Sequence, residues 1–152
     1  PATHPDAPLA SLTQRFAAHW SGVRFEDLEP RLVHEARRRV LDTVAAAIAS
    51  VDAQESRCAS AAVLRLQGGD TGPVRLWGTS QGANPSLAAL ANGTAAHARE
   101  LDDFDGCGHT GAVVIPAVCS LAQQLRADGR TVIAATLAGY DLASRMLDAA
   151  GG

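Results

Sequence analysis

Small apolar residues dominate this chain and recur at helical spacing along most of its length. Hydrophobic residues make up 47% of its 152 residues, whereas aromatic residues make up only 4%. Alanine-rich segments favour closely packed helices, because sheets draw mainly on β-branched and aromatic residues. The pattern therefore predicts an all-α fold with minimal β-structure, in a chain long enough to bury one core.

Proline and glycine signals divide the chain into a short arm and one helical domain. Residues 1–8 contain three prolines and no apolar period, which predicts a flexible arm. Residues 9–152 are expected to form the helical domain. The predicted helices cover about 9–21, 30–50, 56–66, 85–104, 111–125 (interrupted or kinked at Pro116) and 131–148, with a short extended piece at 74–77.

Charge and composition exclude several classes of function. The net charge is −3, so the chain has no electrostatic footprint for nucleic acid. No apolar run approaches the ~20 residues of a membrane span, and no signal-peptide pattern opens the sequence. The three cysteines are widely spaced and predict free thiols, so a cytoplasmic protein is expected. All thirteen basic residues are arginines, which rules out Schiff-base chemistry on a lysine of this chain.

Titratable side chains crowd into one stretch, residues 92–116. Five of them fall within nine positions: His97, Glu100, Asp102, Asp103 and Asp105. A glycine-rich loop then carries a second histidine, His109. Histidines next to carboxylates are the groups from which general acid–base sites are built.

We place the acids at the end of a helix that opens at Asn84-Pro85, an N-cap followed by proline. One helical stripe contains Leu87, Leu90, Thr94, His97, Leu101 and Phe104. His97 and Glu100 are neighbours on that surface, whereas Asp102 is expected to point almost opposite His97. His97 and His109 are the candidates for proton transfer. Glu100, with Asp102 or Asp103, would orient them or take a proton.

These residues also have simpler interpretations. A histidine on an apolar stripe is usually a satisfied core residue, and acids at a helix end are often solvated. Acids at a helix C-terminus oppose the macrodipole by roughly 0.3–1 kcal/mol each, which favours a paired or functional role for at least one. The run Arg37-Arg38-Arg39 is expected to be an exposed helix face, and Tyr140 to hold neighbouring helices together.

A metal site and a nucleotide site are weaker interpretations. His97, an acid and His109 are suitable ligands for zinc or iron, but no motif in the sequence fixes three of them together. The glycine-rich pieces follow no βα unit and match neither GxGxxG nor a P-loop. The residues themselves therefore favour neither a metal site nor a nucleotide site.

Four stretches, in order, carry a resemblance to a known family. They are FEDLEPRLVHEARRRVLDTVAAAIAS, NPSLAALANGTAAHARELDD after WGTS, HTGAVVIPAVCSLAQQL, and AGYDLASRM. Together they resemble the N-terminal part of the MmgE/PrpD family. That family includes 2-methylcitrate dehydratase, cis-aconitate decarboxylase and iminodisuccinate epimerase.

The resemblance implies a helical, usually dimeric domain that acts without metal or cofactor on small di- and tricarboxylates. Dehydration, decarboxylation and epimerisation remain open. Family members are longer and carry active-site lysines, so this chain resembles about their first third. Glu100 and Phe104 stand where an aspartate and a threonine are common. We therefore expect a homodimer, or a complex with a chain carrying the remainder, and no activity from the isolated chain. The alternative is a non-catalytic helical assembly module or one subunit of a split enzyme.

Overall fold

A computed structural model describes residues 11–69, 71–104 and 108–151. Six α-helices and one small ribbon make up the described part, which confirms the all-α prediction. In chain order these are α1 (Leu12–Gly22), a 3₁₀ turn (Phe25–Asp27), α2 (Pro30–Ala49), α3 (Gln54–Gln67), β1 (Val74–Arg75), β2 (Gly82–Ala83), α4 (Pro85–His97), α5 (Thr110–Leu125) and α6 (Gly129–Ala149). The predicted arm, Leu9, Asp105 and Cys107 lie outside the described residues.

Helix α4 is the centre of the fold, because it packs against α2, α3 and α5. Helix α5 in turn packs against α2 and α6. The buried face of α4 consists of small residues: Ala88, Ala91, Asn92, Ala95 and Ala96. Small side chains allow the helix axes to approach closely, and the alanines of α4 lie where it contacts its neighbours.

The predicted apolar stripe of α4 is wrong. Leu90 is 58% exposed, and Leu101 and Phe104 follow the end of the helix at 54% and 64% exposure. Leu87 of the same stripe is partly buried against the core, but Leu90 lies on the outer face. Close helix packing selects for alanine here, so side-chain size rather than hydrophobicity marks the buried face.

The asparagine–glycine pair in α4 joins it to the ribbon and to α5. The Asn92 side chain is 2% exposed; its oxygen accepts from the Trp77 backbone N–H and its amide donates to the Arg75 carbonyl. A Cβ on Gly93 would lie 2.7 Å from the Ala112 carbonyl oxygen, so only glycine allows this approach of α4 to α5.

The other helices differ in continuity and in how much of their surface they bury. Helix α5 runs through Pro116 as one helix instead of being interrupted there. Helix α1 buries none of its residues, and Leu12 is 79% exposed. The apolar end of α2 is buried on one face only, since Ala47 is fully buried while Ile48 is 52% exposed. Among the described residues, no helix is long and apolar enough to cross a membrane.

Candidate active site

The end of α4 creates the site by stopping seven residues earlier than predicted. The helix ends at His97, and the Glu100 backbone N–H then donates to the His97 carbonyl in a turn. Glu100 adopts a positive φ of 49°, which reverses the chain direction. Because of this reversal, the residues after Glu100 return beside the helix end instead of continuing along it. The predicted helix through residue 104 is therefore wrong.

Asp102 is the buried centre of the site. Its side chain is fully buried, and its Oδ1 lies 3.2 Å from His97 Nδ1 in a hydrogen bond. The prediction that Asp102 points away from His97 is wrong, because it assumed an unbroken helix. A carboxylate without solvent is costly unless it is paired. Among the described residues, the side chains that pair with it are two imidazoles.

His109 supplies the second imidazole. It stands at the N-cap position of α5, and its Nδ1 lies 3.3 Å from Asp102 Oδ2. The two imidazole rings meet edge-on with centroids 4.3 Å apart, and the Phe104 ring lies 5.3 Å from that of His109. One carboxylate thus lies between two histidines, each facing a different oxygen.

The site lies at the surface rather than in a deep cleft. The His97 and His109 side chains are 46% and 31% exposed. Two clefts, of about 610 and 490 Å³, lie elsewhere: the first between α1 and α6, and the second against α2. Neither cleft is lined by either of the two histidines, which meet outside both of them. The two histidines therefore lie at an open face of this chain.

Glu100 is not part of the cluster. The residue is exposed in the turn, and its carboxylate makes no hydrogen bond or ion pair with any described residue. Residues three apart are neighbours only within a helix, and α4 ends at His97, so the spacing of Glu100 from His97 does not bring the two side chains together. The Glu100 carboxylate does not contact the His97 ring among the described contacts, and the Asp102 carboxylate lies beside that ring instead.

Asp103 organises the structure behind the site. Its Oδ2 accepts from Arg39 at 2.6 Å and from the Tyr140 hydroxyl at 2.9 Å, and its Oδ1 accepts from the Gly111 backbone N–H at 2.8 Å. These contacts connect α2, α6 and the first turn of α5, where His109 is the N-cap. Asp103 therefore fixes the position of His109 without facing it.

Arg39 and Tyr140 are the residues whose part in the site the sequence did not reveal. Arg39 pairs with both Glu35 and Asp103, so the arginine run is not simply a solvated face. Burial by itself lowers the pKa of Arg39, but the hydrogen bond to Glu35 and the charge of Asp103 outweigh it and raise that pKa. Burial, then the hydrogen bond to Asp103, strongly raises the pKa of Tyr140, which keeps its hydroxyl a neutral donor. The sequence did contain one signal, the four-residue spacing of Glu35 and Arg39, which predicts an ion pair on one face of α2.

Gly111 provides a test of this packing. A Cβ there would overlap the Asp103 carboxylate and lie 2.7 Å from Thr43 Oγ1 and 3.0 Å from the Tyr140 hydroxyl. We expect Gly111→Ala to lower the free energy of unfolding by about 1–3 kcal/mol, as overpacking does. Urea denaturation would measure this. Gly129→Ala is the control, since a Cβ added at Gly129 would have no other atom within 4 Å. Equal effects of the two substitutions would contradict the close packing described here.

Comparison with known proteins shows which proteins this chain resembles. The family model for the MmgE/PrpD N-terminal domain matches residues 14–152. Human cis-aconitate decarboxylase is 26% identical over 145 residues, which cover 91% of this chain and 30% of that protein. Cis-aconitate decarboxylase from Aspergillus terreus is 28% identical over 136 residues, 84% of this chain and 27% of that protein. The chain thus spans under a third of the length of these relatives. No solved structure matches it significantly.

Proposed function

The chain belongs to the MmgE/PrpD family, and we propose that it supplies the acid–base part of a lyase or isomerase site for a small di- or tricarboxylate. The observation that carries the proposal is the buried Asp102 carboxylate between the imidazoles of His97 and His109. Relatives named cis-aconitate decarboxylase support carboxylate chemistry, with decarboxylation as one member of the class.

The geometry suits proton transfer at a carbon next to a carboxylate. Each ring turns its Nδ1 towards Asp102, which would leave the Nε2 atom of each partly exposed ring for a substrate. In dehydration or epimerisation, one Nε2 would take the proton from carbon, while the other donates a proton to the departing hydroxyl or back to carbon. In decarboxylation, carbon dioxide leaves and an imidazolium protonates the carbon. Asp102 would orient the rings and stabilise the imidazolium.

Negative charge on the substrate needs positive donors as well. Arg39 is already paired with Glu35 and Asp103, and Arg99 with Asp52. Neither arginine can hold a substrate carboxylate without giving up a partner. We therefore propose that the cationic groups of the site come from another part of the protein or from a second chain.

The isolated 152-residue chain is therefore expected to show no appreciable turnover. Its two histidines are open to water, and closed sites stabilise developing charge far better than open ones. Large apolar side chains also remain exposed beside the site: Phe104 is 64% exposed with its ring 5.3 Å from that of His109, and Leu101 is 54% exposed next to Asp102. Such exposure favours a covering partner such as a second copy.

The test is to assay the purified chain with citrate, 2-methylcitrate, cis-aconitate and iminodisuccinate while measuring its mass in solution. The assay would be repeated with any protein that co-purifies. Turnover by a monomer would contradict the need for a covering partner. If the protein turns over none of the acids even with its partner, the non-catalytic assembly module becomes the better interpretation.

A further inference from the structure

The larger of the two clefts lies away from the histidines, and three parts of the chain form its walls. Its volume is about 610 Å³, and its lining comes from α1, the turn that leads into α2, and α6. Cavities of about 300–1,000 Å³ hold small organic molecules. Helix α1 buries none of its residues, so it acts as a wall of this cleft rather than as part of the core. The cleft therefore has the size of a ligand site that is separate from the acid–base cluster.

Part of the cleft lining is apolar and aromatic. Leu32 and Leu137 line it together with the rings of Trp20 and Tyr140. The Trp20 indole N–H donates to Asp141 Oδ2 at 2.9 Å, which ties α1 to α6 and holds the indole in the wall. Leucine and aromatic side chains accept the apolar body of a small molecule, and aromatic ring faces also attract cations.

The charged groups of the cleft are mainly acidic. Asp27, Glu29 and Asp141 contribute three carboxylates, whereas Arg145 is the one arginine among the described residues of the lining. Arg145 Nε already donates to Asp141 Oδ1 at 2.8 Å. Asp27 accepts only from the Arg24 backbone N–H, and the Glu29 carboxylate has no hydrogen-bond or ion-pair partner among the described residues. Two carboxylates thus lack a cation, so the cleft attracts positive charge and repels a carboxylic acid.

We propose that this cleft binds a small organic cation, a primary amine with an apolar or aromatic body. The ammonium group would lie beside the carboxylates of Asp27 and Glu29, and the apolar body would pack against Trp20 and the two leucines. A carboxylic acid of the same size would face like charges instead. The proposal rests on the cleft alone and is independent of the proposed lyase or isomerase chemistry.

Phenethylamine is a suitable probe of this cleft, with phenylacetate as the anionic probe of similar size. Proton–nitrogen NMR of the isotope-labelled protein would follow the indole N–H signals of Trp20 and Trp77, which Trp20→Phe assigns. We expect phenethylamine to shift the Trp20 signal saturably and to leave that of Trp77 nearly unchanged, because Trp77 does not line the cleft. Phenylacetate should bind at least about tenfold more weakly, because like charges placed together are costly.

Variants that remove charge test the position of the ammonium group. Asp27 and Glu29 are both exposed, so Asp27→Asn combined with Glu29→Gln should leave the fold intact, with circular dichroism as the check. This double variant should bind phenethylamine about fivefold more weakly or worse. Glu55→Gln is the matched control, because Glu55 is an exposed acid in the first turn of α3 and does not line the cleft.

The control should bind phenethylamine as the unaltered protein does. The absence of a saturable shift at Trp20, or equal binding of phenylacetate, would overturn the proposal. Unchanged affinity in the double variant, or an equal loss in Glu55→Gln, would overturn it as well.

Discussion

Replacing His109 with alanine is expected to lower turnover of a small carboxylic acid by about 10²-fold or more, the usual contribution of a positioned acid or base. The loss should appear in kcat, because the imidazole moves a proton during the reaction, and only secondarily in KM. His109 is the N-cap residue of α5, but its side chain makes no capping hydrogen bond and is 31% exposed. Its removal should therefore leave the fold intact. Steady-state kinetics of the complete enzyme, with circular dichroism as a check on folding, measure both parts of the prediction.

His34→Ala provides the control for the same loss of an imidazole. It lies on the exposed surface of α2, where alanine is a better helix former. Turnover should be unchanged in this variant. If His109→Ala retained normal kcat, or if His34→Ala lost as much, His109 would have no part in proton transfer.

Replacing Asp103 with alanine is expected to destabilise the fold by about 3–5 kcal/mol, because it removes the buried partner of a half-buried ion pair together with the acceptor of two further hydrogen bonds. The Asp103 side chain is only 7% exposed and accepts hydrogen bonds from three different helices. Its loss would leave the Tyr140 hydroxyl and the Gly111 N–H without their acceptor, and unsatisfied buried donors are costly. Urea denaturation would report the change in the free energy of unfolding.

Asp52→Ala is the matched control for Asp103→Ala. Asp52 pairs with Arg99 at 2.9 Å, but its side chain is 72% exposed. Exposed ion pairs contribute only about 0–1 kcal/mol, so this variant should unfold almost as the unaltered chain does. A double-mutant cycle with Tyr140→Phe would isolate the Asp103–Tyr140 hydrogen bond. A loss below about 1 kcal/mol for Asp103→Ala would contradict the organising role of Asp103.

Local signals in the sequence were sufficient for most of the helices. Pro30 and Asn84-Pro85 begin α2 and α4 as predicted, because proline at the first helical position and asparagine at the N-cap act within one turn. Asp128-Gly129 likewise precedes α6, with the Asp128 carboxylate accepting from the Thr131 N–H. Features that depend on three or four neighbouring residues can be predicted from the sequence.

The geometry of the site depended on a helix end that periodicity does not reveal. Leu101 and Phe104 continue the helical period beyond His97, but the positive φ of Glu100 ends the helix there. Non-glycine residues rarely adopt that conformation, so no sequence signal marked the turn. The two histidines and the acids could be identified from the sequence as candidates. The pairing of His97 and His109 with Asp102 could not, because it depends on this turn.

The contacts of Asp103 could not be predicted for a different reason. Arg39 and Tyr140 lie 64 and 37 positions away from it in the chain. A single sequence contains periodicity and spacing, but it does not state which helices pack together. Only the arrangement of α2, α5 and α6 around α4 brings these side chains to one carboxylate.

The most direct test of the acid–base account is proton exchange at the carbon next to a substrate carboxylate. The complete enzyme would be incubated in deuterated water with cis-aconitate, citrate, 2-methylcitrate and iminodisuccinate, and deuterium in substrate and product followed by NMR. We predict that at least one acid acquires deuterium at that carbon, and that His109→Ala slows the incorporation by about 10²-fold or more. Incorporation at the same rate in His109→Ala, or none with any of the acids, would contradict the account.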